Sequence, residues 1–133
     1  MTEKEKATIN FKGGLNCSQS VIEAWSSASG LDPETAKAVS VGFGGGMGRA
    51  QKTCGAVSGA IMAIGCRYFD ADDTAGSKEK AYAKTMEFLK RFEKKHGSSD
   101  CISLLGVDLN SVEGKKGYRE KEMSQKKCLK YVQ

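Results

Sequence analysis

Between Lys52 and Arg67 the chain carries no charged residue, although 28% of its residues are charged. A run of that kind, Thr53-Cys-Gly-Ala-Val-Ser-Gly-Ala-Ile-Met-Ala-Ile-Gly-Cys-Arg67, has to be withdrawn from water. Thr53 is a good N-cap, because its hydroxyl can accept a first-turn backbone N–H, so the run reads as a helix opening on Cys54. Ala56, Val57, Ala60, Ile61, Met62, Ala63 and Ile64 occupy every face of it, the pattern of a helix packed among others. The run is shorter than the roughly 20 apolar residues that cross a bilayer. Gly55 and Gly59 lie one turn apart and cost helix propensity, which is best explained by another backbone, or a bulky group beside Cys54, coming close.

A cysteine in the first turn of a helix faces free N–H groups and the positive end of the helix dipole. Both favour the thiolate, the form that attacks disulfides and binds metals. The Cys54 thiol is therefore expected to titrate below the roughly 8.5 of a free cysteine. A buried cysteine that merely fills space is the alternative. The same placement recurs at Cys17 and Cys101.

The remaining composition selects the fold class. One proline, no alternating β-branched runs and abundant Ala, Lys, Glu and Met predict an all-α, single-domain helical bundle over residues 1–133, with the buried central helix at about 53–67. That length buries a core without disulfide staples. The first residues, Met-Thr-Glu-Lys-Glu-Lys, hold no apolar secretory segment, and no later run spans a membrane, so the expected location is cytoplasmic and no membrane insertion is expected. Thiols stay reduced there, which makes five cysteines metal ligands or redox groups rather than static cross-links. The net charge of +5 comes mostly from residues 113–133, with seven Lys or Arg against three Glu. Without aromatic interleaving or a binding motif, this reads as a solvated helix face and not as a nucleic-acid surface.

Local signals place the other helices. Residues 3–12 form a short helix that lids the core and stops at Gly13-Gly14. Asn16 caps a helix over Cys17–Ser29, with Val21, Ile22, Trp25 and Ala28 on one apolar stripe and Gly30 as the stop. Asp32-Pro33 starts the next helix, to about Val41. Ser77 is predicted to cap a long helix to His96 with Ala81, Tyr82, Thr85, Met86, Leu89 and Phe92 on its core face, and His96 reads as a C-terminal capping residue before Gly97. Ser98-Ser-Asp100 caps a helix over Cys101–Leu105. Gly106, Gly114 and Gly117 predict a loop, followed by a final helix from about Arg119 that shares a face among Ser124, Cys128, Tyr131 and Val132.

Two motifs fail on inspection. Val41-Gly-Phe-Gly-Gly-Gly-Met-Gly-Arg-Ala50 lacks both the Gly-Lys-Ser/Thr of a phosphate loop and the strand that precedes a dinucleotide loop. It is compatible with N–H groups turned toward a sulfur or an anion, and equally with a tight crossing between helices. The acidic Asp70–Gly76 segment puts alanines where a calcium loop needs its glycine and closing glutamate, and reads as a surface loop.

Cys17, Cys54, Cys101 and Cys128 are thus candidates to meet at one site, although no CxxC pair is present and their separations match no zinc or ferredoxin signature. Gly13-Gly-Leu-Asn-Cys17-Ser-Gln-Ser-Val, then Cys54-Gly-Ala-Val-Ser-Gly59-Ala, His96-Gly-Ser-Ser-Asp-Cys101 and the late Cys128 resemble the C_GCAxxG_C_C family, described as redox-active proteins. The resemblance covers nearly the whole chain and implies the site residues: Cys17, Cys54, Cys101 and Cys128 as redox thiols or metal ligands, with Gly55, Ala56 and Gly59 beside a cofactor. It also implies a bacterial or archaeal protein related to a domain of split-Soret cytochrome c that holds an iron–sulfur centre. The expected cofactor is an iron–sulfur cluster, with zinc in a structural binding module as the alternative, and with no cofactor if the thiols cycle as a dithiol. Either redox reading implies a redox partner protein, and a homodimer is compatible with the sequence. Cys66 lies about 18 Å along the helix from Cys54, at 1.5 Å per residue, and is expected to be a small hydrophobic passenger.

Overall fold

Capping chemistry sets the first helices. In the computed structural model, which describes residues 1–120 together with Cys128 and Tyr131, helix α1 spans Glu3–Lys12. The Thr2 hydroxyl accepts from Glu5 N at 3.1 Å while the Glu5 carboxylate accepts from Thr2 N at 3.2 Å. Helix α2, Cys17–Ala24, is closed the same way, with Asn16 and Gln19 exchanging side-chain and backbone bonds. Such reciprocal pairs satisfy two of the orphan donors at a helix start.

Helix α2 ends five residues earlier than its apolar stripe predicts. The chain breaks at Trp25, which is 44% exposed, before the short helix α3 at Ser26–Ser29. Three serines in four residues, at positions 26, 27 and 29, carry low helix propensity, which fits the break. Helix α4, Pro33–Ser40, follows Asp32, whose carboxylate accepts from Thr35 N at 3.1 Å.

The glycine run then forms a 3₁₀ turn at Val41–Phe43 and a tight turn, α5, at Gly44–Met47. Positive φ holds for five successive residues, Gly45 to Arg49, and again at Gln51. Met47, Arg49 and Gln51 carry side chains in this left-handed region, at a cost of roughly 1–2 kcal/mol each. The turn is folded back by Gln51 N to Gly45 O at 3.1 Å and Lys52 N to Gly46 O at 2.9 Å.

Helix α6 is Gly55–Tyr68, and Cys54 is its N-cap residue. Thr53 does not cap it, because it is held in an antiparallel bridge with Asp100, the one piece of sheet pairing among the described residues. Full burial is confined to Gly55–Gly59; the later residues of the helix are partly or fully exposed, so the apolar run is not surrounded along its whole length. The glycines have the role their spacing suggests. A Cβ on Gly55 would stand 3.0 Å from Cys17 Cβ, and one on Gly59 would stand 2.8 Å from Ser18 O. Helix α2 therefore lies directly on α6, a contact only glycine permits at these positions.

After a 3₁₀ turn at Ala71–Asp73, helix α7 spans Thr74–His96, capped by Asp73 through Gly76 N and not by Ser77, whose hydroxyl instead reaches Asp70 O. Phe92 is buried on α7, but Tyr82 and Met86 are 60% and 56% exposed, so the predicted core face is covered only in its C-terminal half. Helix α8 is Cys101–Leu105 as expected. Helix α9, Val112–Glu120, replaces the predicted loop: Gly114 and Gly117 lie inside it, and a Cβ at Gly114 would collide with the Asp108 carbonyl. Ser124 and Val132 lie outside the described residues.

The core joins Ala7, Val21, Ala24, Cys54, Ala56, Val57, Phe92 and Leu104, and Ile22 is fully buried between helices. Burying a side chain of that size contributes about 1.5–3 kcal/mol. A smaller cluster of Cys101, Leu105 and Cys128 adjoins it, with half-buried Cys17 and Phe11 touching both. The cysteines therefore stand at the seam between two clusters.

Candidate functional site

Two backbone hydrogen bonds across the Thr53–Asp100 bridge bring two of the cysteines together. Cys54 N donates to Ser99 O at 2.7 Å and Cys101 N donates to Lys52 O at 2.6 Å, which aligns the starts of α6 and α8 side by side. Asn16, at the start of α2, donates from its amide to Val41 O at 2.9 Å and so ties Cys17 to the 3₁₀ turn that precedes the left-handed run. A Cβ on Gly46 would lie 2.7 Å from Cys101 Cβ, so the turn passes as close to Cys101 as a bare backbone allows.

These helix starts enclose a cavity of about 700 Å³. Cys17, Cys54, Cys101 and Cys128 all line it, together with Gly55. Ala56 is buried just behind, its N–H directed at the Cys54 sulfur, while Gly59 lies a turn further along against α2. Cys66 stands apart: it is exposed near the end of α6 and does not line the cavity.

All the cavity thiols with a resolved shift hold their protons more tightly than a free cysteine. Cys17 is pushed well up, first by its side-chain hydrogen bond with Cys128, then by burial and by the neighbouring sulfurs. Burial raises Cys101 to about 12, aided by Cys54 and Cys128, while Gln51 pulls weakly the other way. Cys54 corrects the sequence expectation. The N–H groups of Ala56 and Val57 do favour its thiolate, but burial outweighs them and its pKa is raised. At Cys101 the dipole argument fails for another reason, since the N–H groups of Cys101 and Ile102 already donate to Lys52 O and Gln51 O.

Sequence reasoning missed Gln51. It is 3% exposed, donates to Val107 O at 2.7 Å, accepts from Leu109 N at 2.8 Å and hydrogen-bonds Cys101. A polar residue between Ala50 and Lys52 gives no local sign of that burial. Tyr118 was passed over as well, and Tyr131 was read only as sharing a helix face with Cys128. Tyr118 places its hydroxyl 3.4 Å from Cys128 Sγ, and Tyr131 donates to Leu104 O at 3.2 Å while its ring meets His96 edge-on at 4.9 Å. His96 thus belongs to an aromatic stack with Phe92 and Tyr131, immediately before the left-handed Gly97 that terminates α7.

Among the described residues no three His, Cys, Asp or Glu side chains are close enough to hold a metal ion between them. No helix of the described residues is long and apolar enough to cross a membrane.

An all-α protein with four cysteines gathered on one cavity, three of them at helix starts, is the class that fold and site define. The profile of the family described as "Putative redox-active protein (C_GCAxxG_C_C)" matches residues 15–133, and the chain belongs to that family of redox-active proteins. Comparison with curated proteins and with solved structures gives no match.

Proposed function

We propose that the cavity is a redox centre in which Cys17, Cys54, Cys101 and Cys128 hold an iron–sulfur cluster. The observation that carries this reading is that all four cysteines wall one cavity of about 700 Å³. A structural zinc ion, with Zn–S near 2.3 Å, needs its sulfurs roughly 3.8 Å apart around a tetrahedron, which leaves no cavity. A polynuclear group, with metal and sulfide between the thiolates, suits a wider ring of donors.

When bound, such a cluster supplies electron transfer at a potential tuned by charge, hydrogen bonds to sulfur and solvent exposure. The chain supplies the surroundings. Burial of Cys54, Cys101 and Cys128 keeps water from the sulfurs. The N–H groups of Ala56 and Val57 stabilise negative charge on Cys54, and the Tyr118 hydroxyl can donate to Cys128. Because the Cys17, Cys54 and Cys101 thiols hold their protons tightly, loading must displace those protons and becomes easier as pH rises.

The side-chain hydrogen bond between Cys17 and Cys128 favours one second reading, a dithiol that cycles with a disulfide. In that reaction the two thiols release two electrons and two protons to an acceptor and form one S–S bond.

Anaerobic reconstitution with ferrous iron and sulfide separates the readings. Iron, sulfide and the visible spectrum are measured on wild type and on Cys54→Ser, with circular dichroism as the fold control. The cluster reading expects a brown wild type and a colourless, helical Cys54→Ser. A wild type that binds no iron but forms a Cys17–Cys128 cross-link with diamide would replace it by the dithiol. Stoichiometric zinc whose removal unfolds the protein would make the site structural.

A further inference from the structure

The cavity has a second chemical character that the thiols do not explain. Arg49 and Lys115 both line it, and among the described residues no carboxylate does. Among the described residues neither cation is in an ion pair, although the chain carries 16 Asp and Glu. Both residues are exposed to solvent and line the same cavity, so an anion entering it would meet two positive charges.

The two cations are presented by different means, a left-handed residue and a closely packed helix. Arg49 has φ 67°, in the left-handed region, and its carbonyl accepts from the Asn110 amide at 2.6 Å. Strain at a residue with a side chain is a mark of functional sites, where surrounding structure maintains it. Lys115 sits on α9, which Gly114 allows to lean on the Asp108 carbonyl, and Tyr118 follows three residues later on the same helix face. Phe11, Leu104, Leu105 and Leu109 supply an apolar part of the wall, beside the polar groups of Asn16, Tyr118 and Tyr131. A cavity of about 700 Å³ is within the roughly 300–1,000 Å³ of small-molecule sites.

We propose that this cavity binds a small organic anion, with its carboxylate or phosphate between Arg49 and Lys115 and its apolar body against Phe11, Leu104 and Leu109, beside the cysteines. The guanidinium fork supplies paired donors to the oxyanion and the ammonium a further charge. The proposal deepens the redox reading by giving that centre a small-molecule ligand, and rests on it only for what happens to the ligand after binding.

The test uses thermal unfolding of the full chain with phenyl phosphate, benzoate, inorganic phosphate and the neutral benzyl alcohol as probes. Phenyl phosphate or benzoate should raise the midpoint, inorganic phosphate should do so less, and benzyl alcohol should leave it unchanged. Arg49→Gln and, independently, Lys115→Gln should each weaken the organic anion's apparent affinity by about tenfold or more, the size of a lost charge-assisted bond. Equal stabilisation by benzyl alcohol, equal stabilisation of the variants, or no stabilisation by either organic anion overturns the proposal. Iron uptake by the two variants is measured in parallel. Retained iron with lost anion binding is the expected result; iron lost in step with anion binding assigns the cations to the cysteine centre and overturns it. If wild type takes up no iron yet binds phenyl phosphate through Arg49 and Lys115, the redox-centre reading fails and the anion site stands.

Discussion

Gly59 and Gly65 lie in the same helix, so replacing each by alanine makes one chemical change in two environments. At Gly65 an added methyl meets nothing within 4 Å. Only the helix-propensity gain remains, about 0.5–1 kcal/mol of stabilisation. At Gly59 the same methyl stands 2.8 Å from Ser18 O, 3.1 Å from Val21 Cβ and 3.3 Å from Ser18 Cα. Two of these contacts are backbone, so α2 itself has to move outward, by a few tenths of an ångström or more. Forcing a methyl into a packed interior costs about 1–3 kcal/mol, and subtracting the propensity gain leaves roughly 1–2 kcal/mol of net destabilisation. Urea unfolding followed by circular dichroism would read the two variants against wild type, with opposite signs expected. For a chain of this size 1 kcal/mol corresponds to a shift of roughly 3–5 °C in the thermal midpoint. Because Cys17 adjoins Ser18, Gly59→Ala should also lower iron uptake, whereas Gly65→Ala should not. A Gly59→Ala protein as stable as Gly65→Ala would refute the direct contact between α2 and α6, and with it the account of how Cys17 is brought to the cavity.

Two further outcomes follow from the cavity's surroundings. Cys17, Cys54 and Cys101 have pKa values raised in the folded protein, so stability is fully present below the unfolded thiol pKa of roughly 8.5 and falls as pH rises above it, since only the unfolded chain then releases these protons. The urea midpoint of reduced, metal-free protein should therefore decline between about pH 8.5 and the pKa near 12 of Cys101, and the decline should shrink in Cys101→Ser; a flat profile would show that the thiols ionise normally. Gln51→Ala removes the bonds to Val107 O and Leu109 N from a buried position and should cost about 2 kcal/mol, with Gln51→Glu no better because its acid lacks the amide donor; a neutral effect in calorimetry would remove Gln51 from the support of Cys101.

The parts of this protein legible in its sequence are those whose causes are local. A cap acts over three or four residues, so Asn16 and Asp32 could be read directly, whereas α8 starts at Cys101 as read although Asp100 makes no side-chain cap bond; the spacing of Gly55 and Gly59 announced a close neighbour without naming it. The four cysteines were legible as a set through the family resemblance, which their spacing alone does not supply. What tertiary structure decided depends on residues far apart in the chain. The Thr53–Asp100 bridge moved the α6 cap to Cys54, and Gln51 finds its partners at Val107 and Leu109. The ionisation of Cys54 was settled in the same way: its own helix start favours the thiolate, as sequence reasoning expects, but burial beneath distant segments disfavours charge more strongly. Helix termini are written in neighbouring residues, whereas burial is a property of everything that packs above a site, and at this site burial controls the chemistry.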